Sequence, residues 1–247
     1  MGFNKRLFPE AAAPCTVSNL DYPVSGTALY QMENNSNSTD SSSFNGTDAN
    51  MSYDSSVKKF GSYSASFNGS SSTIALPNNC FNFTALTISA WIYPAGSGER
   101  VILETYNYTA SPGSQGWIFK IDSATNKALM RAHNGDCASA YPTSTSCTDV
   151  TEVFSNSAIS TSDWTHVAVT LDSSNMKMYI NGTAQSGNTN LASNGFTYNA
   201  TSLTNIGCMK YGSAAAEQFY NGKIDQLRVY NSALSASNIS NLASESC

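Results

Sequence analysis

The sequence predicts an antiparallel all-β fold with a core closed between two stacked sheets. Three observations carry this. Short runs with period-two alternation recur from about Thr27 to Tyr230. Polar breaks rich in Ser, Asn and Thr separate them. Asn-Gly occurs at Asn45, Asn68, Asn134, Asn181, Asn194 and Asn221, and both residues tolerate the positive φ angles of tight hairpin turns. No long helical period and no βαβ rhythm interrupts the series.

The strand candidates follow in order. TALYQM (27–32) opens the series, then SYSASF (62–67), STIAL (72–76) and LTISAWIY (86–93). RVILETY (100–106), GWIFKI (116–121) and KALMRAH (127–133) form the middle. WTHVAVTL (164–171), NMKMYIN (175–181), SLTNIG (202–207) and KIDQLRVY (223–230) complete it. The best-patterned pair is 164–181. Val167, Val169 and Leu171 share one face of the first run, and Met176, Met178 and Ile180 share one face of the second, opposite Lys177 and Tyr179. Trp164, His166, Ala168 and Thr170 occupy the other face, which reads as the outside of a sandwich. One short helix is expected, at 235–244. Ser235 suits its N-cap, Leu234 and Ile239 can staple its first turn, and Ile239 and Leu242 face the sandwich.

The chain has 247 residues, of which 40% are hydrophobic and 11% aromatic, enough for one large core. Net charge is −5, the wrong sign for a nucleic-acid footprint, and no basic cluster exceeds Lys5-Arg6 or Lys58-Lys59. No run approaches the roughly 18 apolar residues of a membrane span, so no membrane insertion is expected. The start, MGFNKRLFPEAAAPC, has a basic opening but no apolar core behind it, and does not read as a signal peptide. Synthesis without export is the expectation, and the Asn-X-Ser/Thr triplets then read as products of composition.

Residues 1–26 differ from the rest, with Lys5, Arg6, Pro9, Pro14, Pro23 and an Ala-rich stretch. They read as an extended anchoring arm, and residues 27–247 as one domain. Of the six cysteines, none forms a CxxC pair, which argues against zinc. Cys137 and Cys147 flank a loop without strand patterning, so a bridge between them is the expected disulfide. Six independent thiols is the alternative, and no pairing follows for the other four.

As an ordered series, ALYQMENNSNSTDSSSFNGT, KKFGSYSASFNGSSSTIALP, FTALTISAWIYP, DWTHVAVTLDSSNMKMYINGT, SLTNIG and FYNGKIDQLRVYNSALSASNI resemble the laminin-G-like jelly rolls of the concanavalin A-like lectin/glucanase superfamily. The resemblance covers roughly residues 27–243. It implies two curved antiparallel sheets but no single activity, because the fold hosts lectins, hydrolases, adhesion modules and structural domains. The arm, MGFNKRLFPEAAAP, resembles the basic, then Pro/Ala-rich starts of phage virion proteins.

Four kinds of chemistry deserve weighing. Glycan-cleaving relatives carry carboxylates at alternating positions of one strand, and no Glu-x-Asp-x-x-Glu run occurs here. Glu99 and Glu104, five apart, face opposite sides of an uninterrupted strand, and Glu152 has no close carboxylate. Asp163 and His166 lack a nucleophile-elbow motif, so a triad is not expected and His166 reads as a half-buried sandwich residue. Calcium is the stronger case. Asp225 has the parity of Leu227 and Val229, and an inward carboxylate is costly unless paired or metal-bound. The resemblance implies a calcium site using this Asp and the opening loop, which holds Glu33, Asp40 and Asn45. Two alternatives stay open: Asp225 accepts backbone N–H bonds, or a bulge signalled by Ile224 turns it outward. Sugar binding would use Tyr106, Tyr108, His133, Tyr141 and Tyr211, with Trp117 equally suited to the core.

These readings lead to an expected non-enzymatic virion surface protein, of capsid-decoration or cement type. Lys5, Arg6, Leu7, Phe8 and Pro9 would dock it on other virion proteins, capsid or tail, with the lectin-like head displayed outward. The alternative is a carbohydrate-binding adhesin or tail-fibre head that recognises host-surface glycans. A homo-oligomer is compatible with either.

Overall fold

The computed structural model describes residues 28–39, 41–107, 115–134, 150–187, 189–190, 202–210 and 215–245. These form two antiparallel sheets. One runs β13 (Thr183–Ala184), β12 (Asn175–Ile180), β11 (Thr165–Leu171), β6 (Leu86–Pro94), β16 (Asn221–Tyr230), β4 (Ser64–Asn68) and β3 (Ser52–Asp54). On it, β1 (Ala28–Tyr30) pairs β16 and β14 (Thr189–Asn190) pairs β12. We call this sheet A. Sheet B runs β10 (Val150–Phe154), β9 (Ala128–Asn134), β8 (Gln115–Ile121), β7 (Arg100–Asn107), β15 (Leu203–Ile206), β5 (Thr73–Leu76) and β2 (Thr47–Ala49). A 3-10 turn at Ser42–Phe44 precedes β2.

All eleven expected strands are present, within a few residues at their ends. Five short ones were not anticipated: β2, β3, β10, β13 and β14. Of these, β10 has a clear signal, since Thr151 and Val153 are buried between half-buried neighbours. The 164–181 pair forms the β11–β12 hairpin with its two apolar faces together, Val167 opposite Ile180, Val169 opposite Met178 and Leu171 opposite Met176. Asn181 and Gly182 follow β12 with φ of 47° and 76°, the two positive angles of a type I′ turn. Asn221-Gly222 behaves otherwise. It opens β16 and pairs with Asn68 and Phe67, so this Asn-Gly is strand rather than turn.

The core lies between the sheets. Ile88, Ala90 and Ile92 of β6, Val167 and Val169 of β11 and Ile224, Leu227 and Val229 of β16 close it from sheet A. Leu103, Trp117, Phe119, Met130 and Val153 close it from sheet B. The C-terminal helix α1 (Ala236–Ala243) has the expected N-cap, with Ser235 Oγ accepting the Asn238 N–H at 3.2 Å. Ile239 and Leu242 bury against Ala168, Tyr179 and Tyr230, so the helix docks on the outer face of sheet A. No helix among the described residues is long and apolar enough to cross a membrane.

Candidate functional site

Strand parity arranges the outer face of sheet A in rows. Asp225, Trp91 and His166 stand side by side across β16, β6 and β11. The row two residues along holds Lys223 and Tyr93, and Trp164 packs on Tyr93 at 5.5 Å between ring centroids. The two rows have different fates. The first is covered by the segment between β3 and β4, residues 55–63. Phe60 meets Trp91 edge-on at 6.0 Å, and the Lys59 ammonium sits 3.8 Å from a Trp91 ring centre, a cation–π contact. The second stays half-exposed at Tyr93, Trp164 and Lys223.

Asp225 does not face the core. Pairing between β16 and β6 shifts between Asp225 and Arg228, and Gln226 takes a φ of 48°. This bulge inserts one residue, so Ile224 and Leu227 both point inward and Asp225 points out. The inward parity is therefore corrected, and the bulge that Ile224 signalled is what the chain adopts. Asp225 is nonetheless fully buried beneath the 55–63 segment. Its Oδ2 accepts the N–H groups of Lys59 at 2.9 Å and Phe60 at 3.0 Å. Desolvation pushes its pKa up to about 7, opposed by those backbone bonds and reinforced by Glu33.

The calcium set is only partly assembled. Both Glu33 oxygens accept the Ser62 N–H, at 3.0 and 2.9 Å, so Glu33 and Asp225 clamp the same segment from two sides. Asn45 turns away to accept the Ser38 N–H at 3.1 Å. Asp40 lies outside the described residues. Among those described, no group of three or more His, Cys, Asp or Glu could hold a metal. Of the two carboxylates, only Asp225 Oδ1 is without a partner. A calcium ion wants six to eight oxygens, and the described residues alone do not fit it.

His166 is more buried than expected, at 1% exposure. It lies edge-on to Trp91 at 5.3 Å, and its Nε2 is 2.8 Å from Ser89 Oγ. Burial, with Arg228 and Lys59 nearby, brings its pKa down to about 3. Its Nδ1 has no hydrogen-bond partner among the described residues; Asp163 instead accepts its own neighbour, the Trp164 N–H, at 2.8 Å.

On sheet B, Tyr106, Gly116 and His133 align across β7, β8 and β9. The Tyr106 and His133 rings meet over the glycine at 5.2 Å, and both residues are about 1% exposed. The two expected sugar contacts thus come together, but as a buried pair. Trp117 is wholly in the core. A bulge between Val101 and Leu103 also overturns the parity of Glu99 and Glu104. Both reach the outer side of sheet B. Glu99 pairs with Lys120 at 2.8 Å, and Glu104 is buried, accepting from Asn205 Nδ2 at 2.9 Å and the Lys210 N–H at 2.7 Å. Glu152 binds Arg131 across the β9–β10 pairing.

Tyr108, Tyr141, Tyr211, Cys137, Cys147 and the arm residues Lys5, Arg6, Leu7, Phe8 and Pro9 lie outside the described residues. The residues that sequence reasoning missed are Tyr93 and Lys223. Alternation on β6 carried the signal, since Tyr93 shares the outward parity of Trp91.

No curated protein sequence matches this one. Among solved structures, domain 4 of an extracellular GH43 arabinanase from Geobacillus stearothermophilus, in complex with arabinotriose, superposes with a TM-score of 0.63 at 21% identity, covering 87% of this chain and 97% of that one. The binding domain of Paraclostridial Mosquitocidal Protein 1 gives 0.62 at 16% identity, over 87% of this chain and 51% of that one. The CBM40 of a Ruminococcus gnavus IT-sialidase, bound to α2,3-sialyllactose, gives 0.54 at 15% identity, over 66% and 84%. These likenesses carry the fold, a concanavalin A-like sandwich. Residues 68–240, more than half the sequence, match the model of the concanavalin A-like lectin/glucanases superfamily, and the chain belongs to that family.

Proposed function

We propose that the chain is a non-enzymatic, lectin-like module that binds glycans on the outer face of sheet A. The Tyr93–Trp164 pair carries the reading. Two aromatic rings in contact, half-exposed and flanked by polar side chains, offer what a sugar ring needs: an apolar face to stack on and hydrogen-bonding groups at its rim. Lys223 supplies the rim, held by Asp54 at 2.7 Å and Ser66 at 3.3 Å. That ion pair leaves the rim close to neutral. The arabinotriose and sialyllactose complexes of structural neighbours support the same class of ligand. The absence of catalysis is supported by the acids of sheet B, where Lys120 holds Glu99 and burial encloses Glu104.

Glycan-array binding by the full chain tests this. Trp164→Ala and Tyr93→Ala should each weaken the bound glycans about tenfold, with unchanged thermal stability. Binding that survives both substitutions, or none across a broad array, overturns the reading.

The arm motivates a second reading, display on a virion. Its basic and apolar residues, Lys5 to Pro9, suit docking on an acidic particle surface. Deleting residues 2–14 should leave folding intact and abolish co-purification with particles. Unchanged incorporation removes the anchoring role.

A further inference from the structure

We propose that the cavity beside β10 is a second ligand site, separate from the Tyr93–Trp164 face, and that it takes a carboxylate-bearing monosaccharide such as a uronic acid. The ligand class rests on the glycan-binding reading; the site itself does not.

The cavity measures about 390 Å³ and is lined chiefly by Lys127, Glu152, Phe154, Ser155, Asn156 and Ser186. That is ample for one sugar ring and within the range of small-molecule sites. It lies where β10, the edge of sheet B, meets the turn between β13 and β14 of sheet A. Hydrogen bonds fix the walls in advance. Asn156 N–H donates to Gln185 Oε1 at 2.8 Å, and Asn156 Oδ1 accepts Ser186 N–H at 3.0 Å and Ser186 Oγ at 2.7 Å. Ser155 Oγ is committed to the Ala128 N–H and the Ser157 carbonyl. A preformed wall lowers the ordering cost of binding.

The charges select the ligand. Glu152 is neutralised by Arg131. Lys127 is half-buried at the rim and makes no ion pair with a described residue. Among the described residues the site therefore keeps one positive charge without an ion-pair partner, on a chain of net charge −5. With its Oδ1 occupied, Asn156 has its Nδ2 to offer as a second donor. Two donors, one of them cationic, suit a carboxylate. Phe154 adds apolar surface and Ser186 Oγ keeps lone pairs for a sugar hydroxyl.

The test is calorimetric or NMR titration of the full chain with glucuronate, glucose and acetate. Glucuronate should bind at a dissociation constant on the order of millimolar, and glucose and acetate about tenfold more weakly. Lys127→Gln should cost glucuronate about tenfold with no change in melting temperature, and Lys127→Glu more. Equal binding of glucose or acetate, an unaffected Lys127→Gln, or no glucuronate binding overturns the proposal. Tyr93→Ala with Trp164→Ala should leave glucuronate binding intact; its loss there would also refute a separate site. Array binding through Trp164 without glucuronate binding sinks this inference alone, and the converse sinks only the Tyr93–Trp164 reading.

Discussion

Asp225 holds the backbone of Phe60, 165 positions away in the sequence, through a 3.0 Å hydrogen bond from the amide to Oδ2. The same oxygen accepts the Lys59 N–H. The bond thus fixes the segment that roofs Trp91, and it exists because a bulge turns the aspartate out of the core.

Removing the carboxylate should loosen that roof. Asp225→Ala orphans the buried Phe60 N–H and should cost about 1–3 kcal/mol. Asp225→Asn keeps an acceptor where Oδ2 now lies and should cost much less. The two also differ in pH response. Asp225 has a folded pKa of about 7, above its usual 3.8, so the unfolded chain releases this proton first. The group's contribution is therefore greatest below about pH 4 and declines as pH rises to about 7. The stability of Asp225→Asn relative to the parent should climb across that window in thermal unfolding at stepped pH. A constant offset contradicts the argument.

Alternation made the sandwich legible, because burying one face of each strand forces period two on the side chains. The inward faces of β11 and β12 and the helix cap could be read directly. Bulges were harder, since one inserted residue inverts parity without changing composition. Ile224 out of step with Leu227 hinted at the one beside Asp225, whereas nothing in RVILETY marked the one that brings Glu104 to the side of Glu99. Cover was equally invisible. Tyr106, His133 and His166 have outward parity and polar character, yet each is buried. Parity gives direction, while exposure depends on what lies above the sheet. Trp164 was readable as outward-facing, but its contact with Tyr93 needed the β6–β11 pairing.

Gly116 separates Tyr106 from His133 because nothing larger fits. Its φ is +99°, and a Cβ there would lie 2.0 Å from the Thr105 carbonyl oxygen. Gly116→Ala should cost about 2 kcal/mol or more, joining backbone strain to a clash with main chain that cannot swing aside. Gly98→Ala is the control, with φ +102° and nothing within 4 Å of the added carbon. It should cost only the strain, about 1–2 kcal/mol. Urea denaturation of both variants isolates the clash, and equal losses would show that β7 and β8 can separate to admit a methyl group.

Glu104 offers the sharpest electrostatic test. Its side chain is wholly buried, Oε1 accepts from Asn205 and Lys210, and Oε2 is without a hydrogen-bond partner. Desolvation raises its pKa well above the usual carboxylate range, with repulsion from Glu217 adding to it and the two hydrogen bonds opposing it. A raised carboxylate pKa means that folding is favoured by the protonated form. Stability from this group is complete at acid pH and falls as pH climbs from the usual carboxylate range through the folded pKa. Glutamine mimics the neutral acid, so Glu104→Gln should match the parent at low pH and exceed it at neutral pH. Glu104→Ala leaves a cavity and orphans the Asn205 amide and the Lys210 N–H, and should cost about 2–4 kcal/mol at acid pH, a deficit that narrows towards neutral pH as the parent loses its protonated-carboxyl contribution. Glu217→Gln removes the repulsion, so the pH at which Glu104 loses its proton should move down, and that part of the stability profile should shift with it. If Glu104→Gln shows the parent's pH slope, the carboxylate is ionised in the fold and the outer side of sheet B admits water to it.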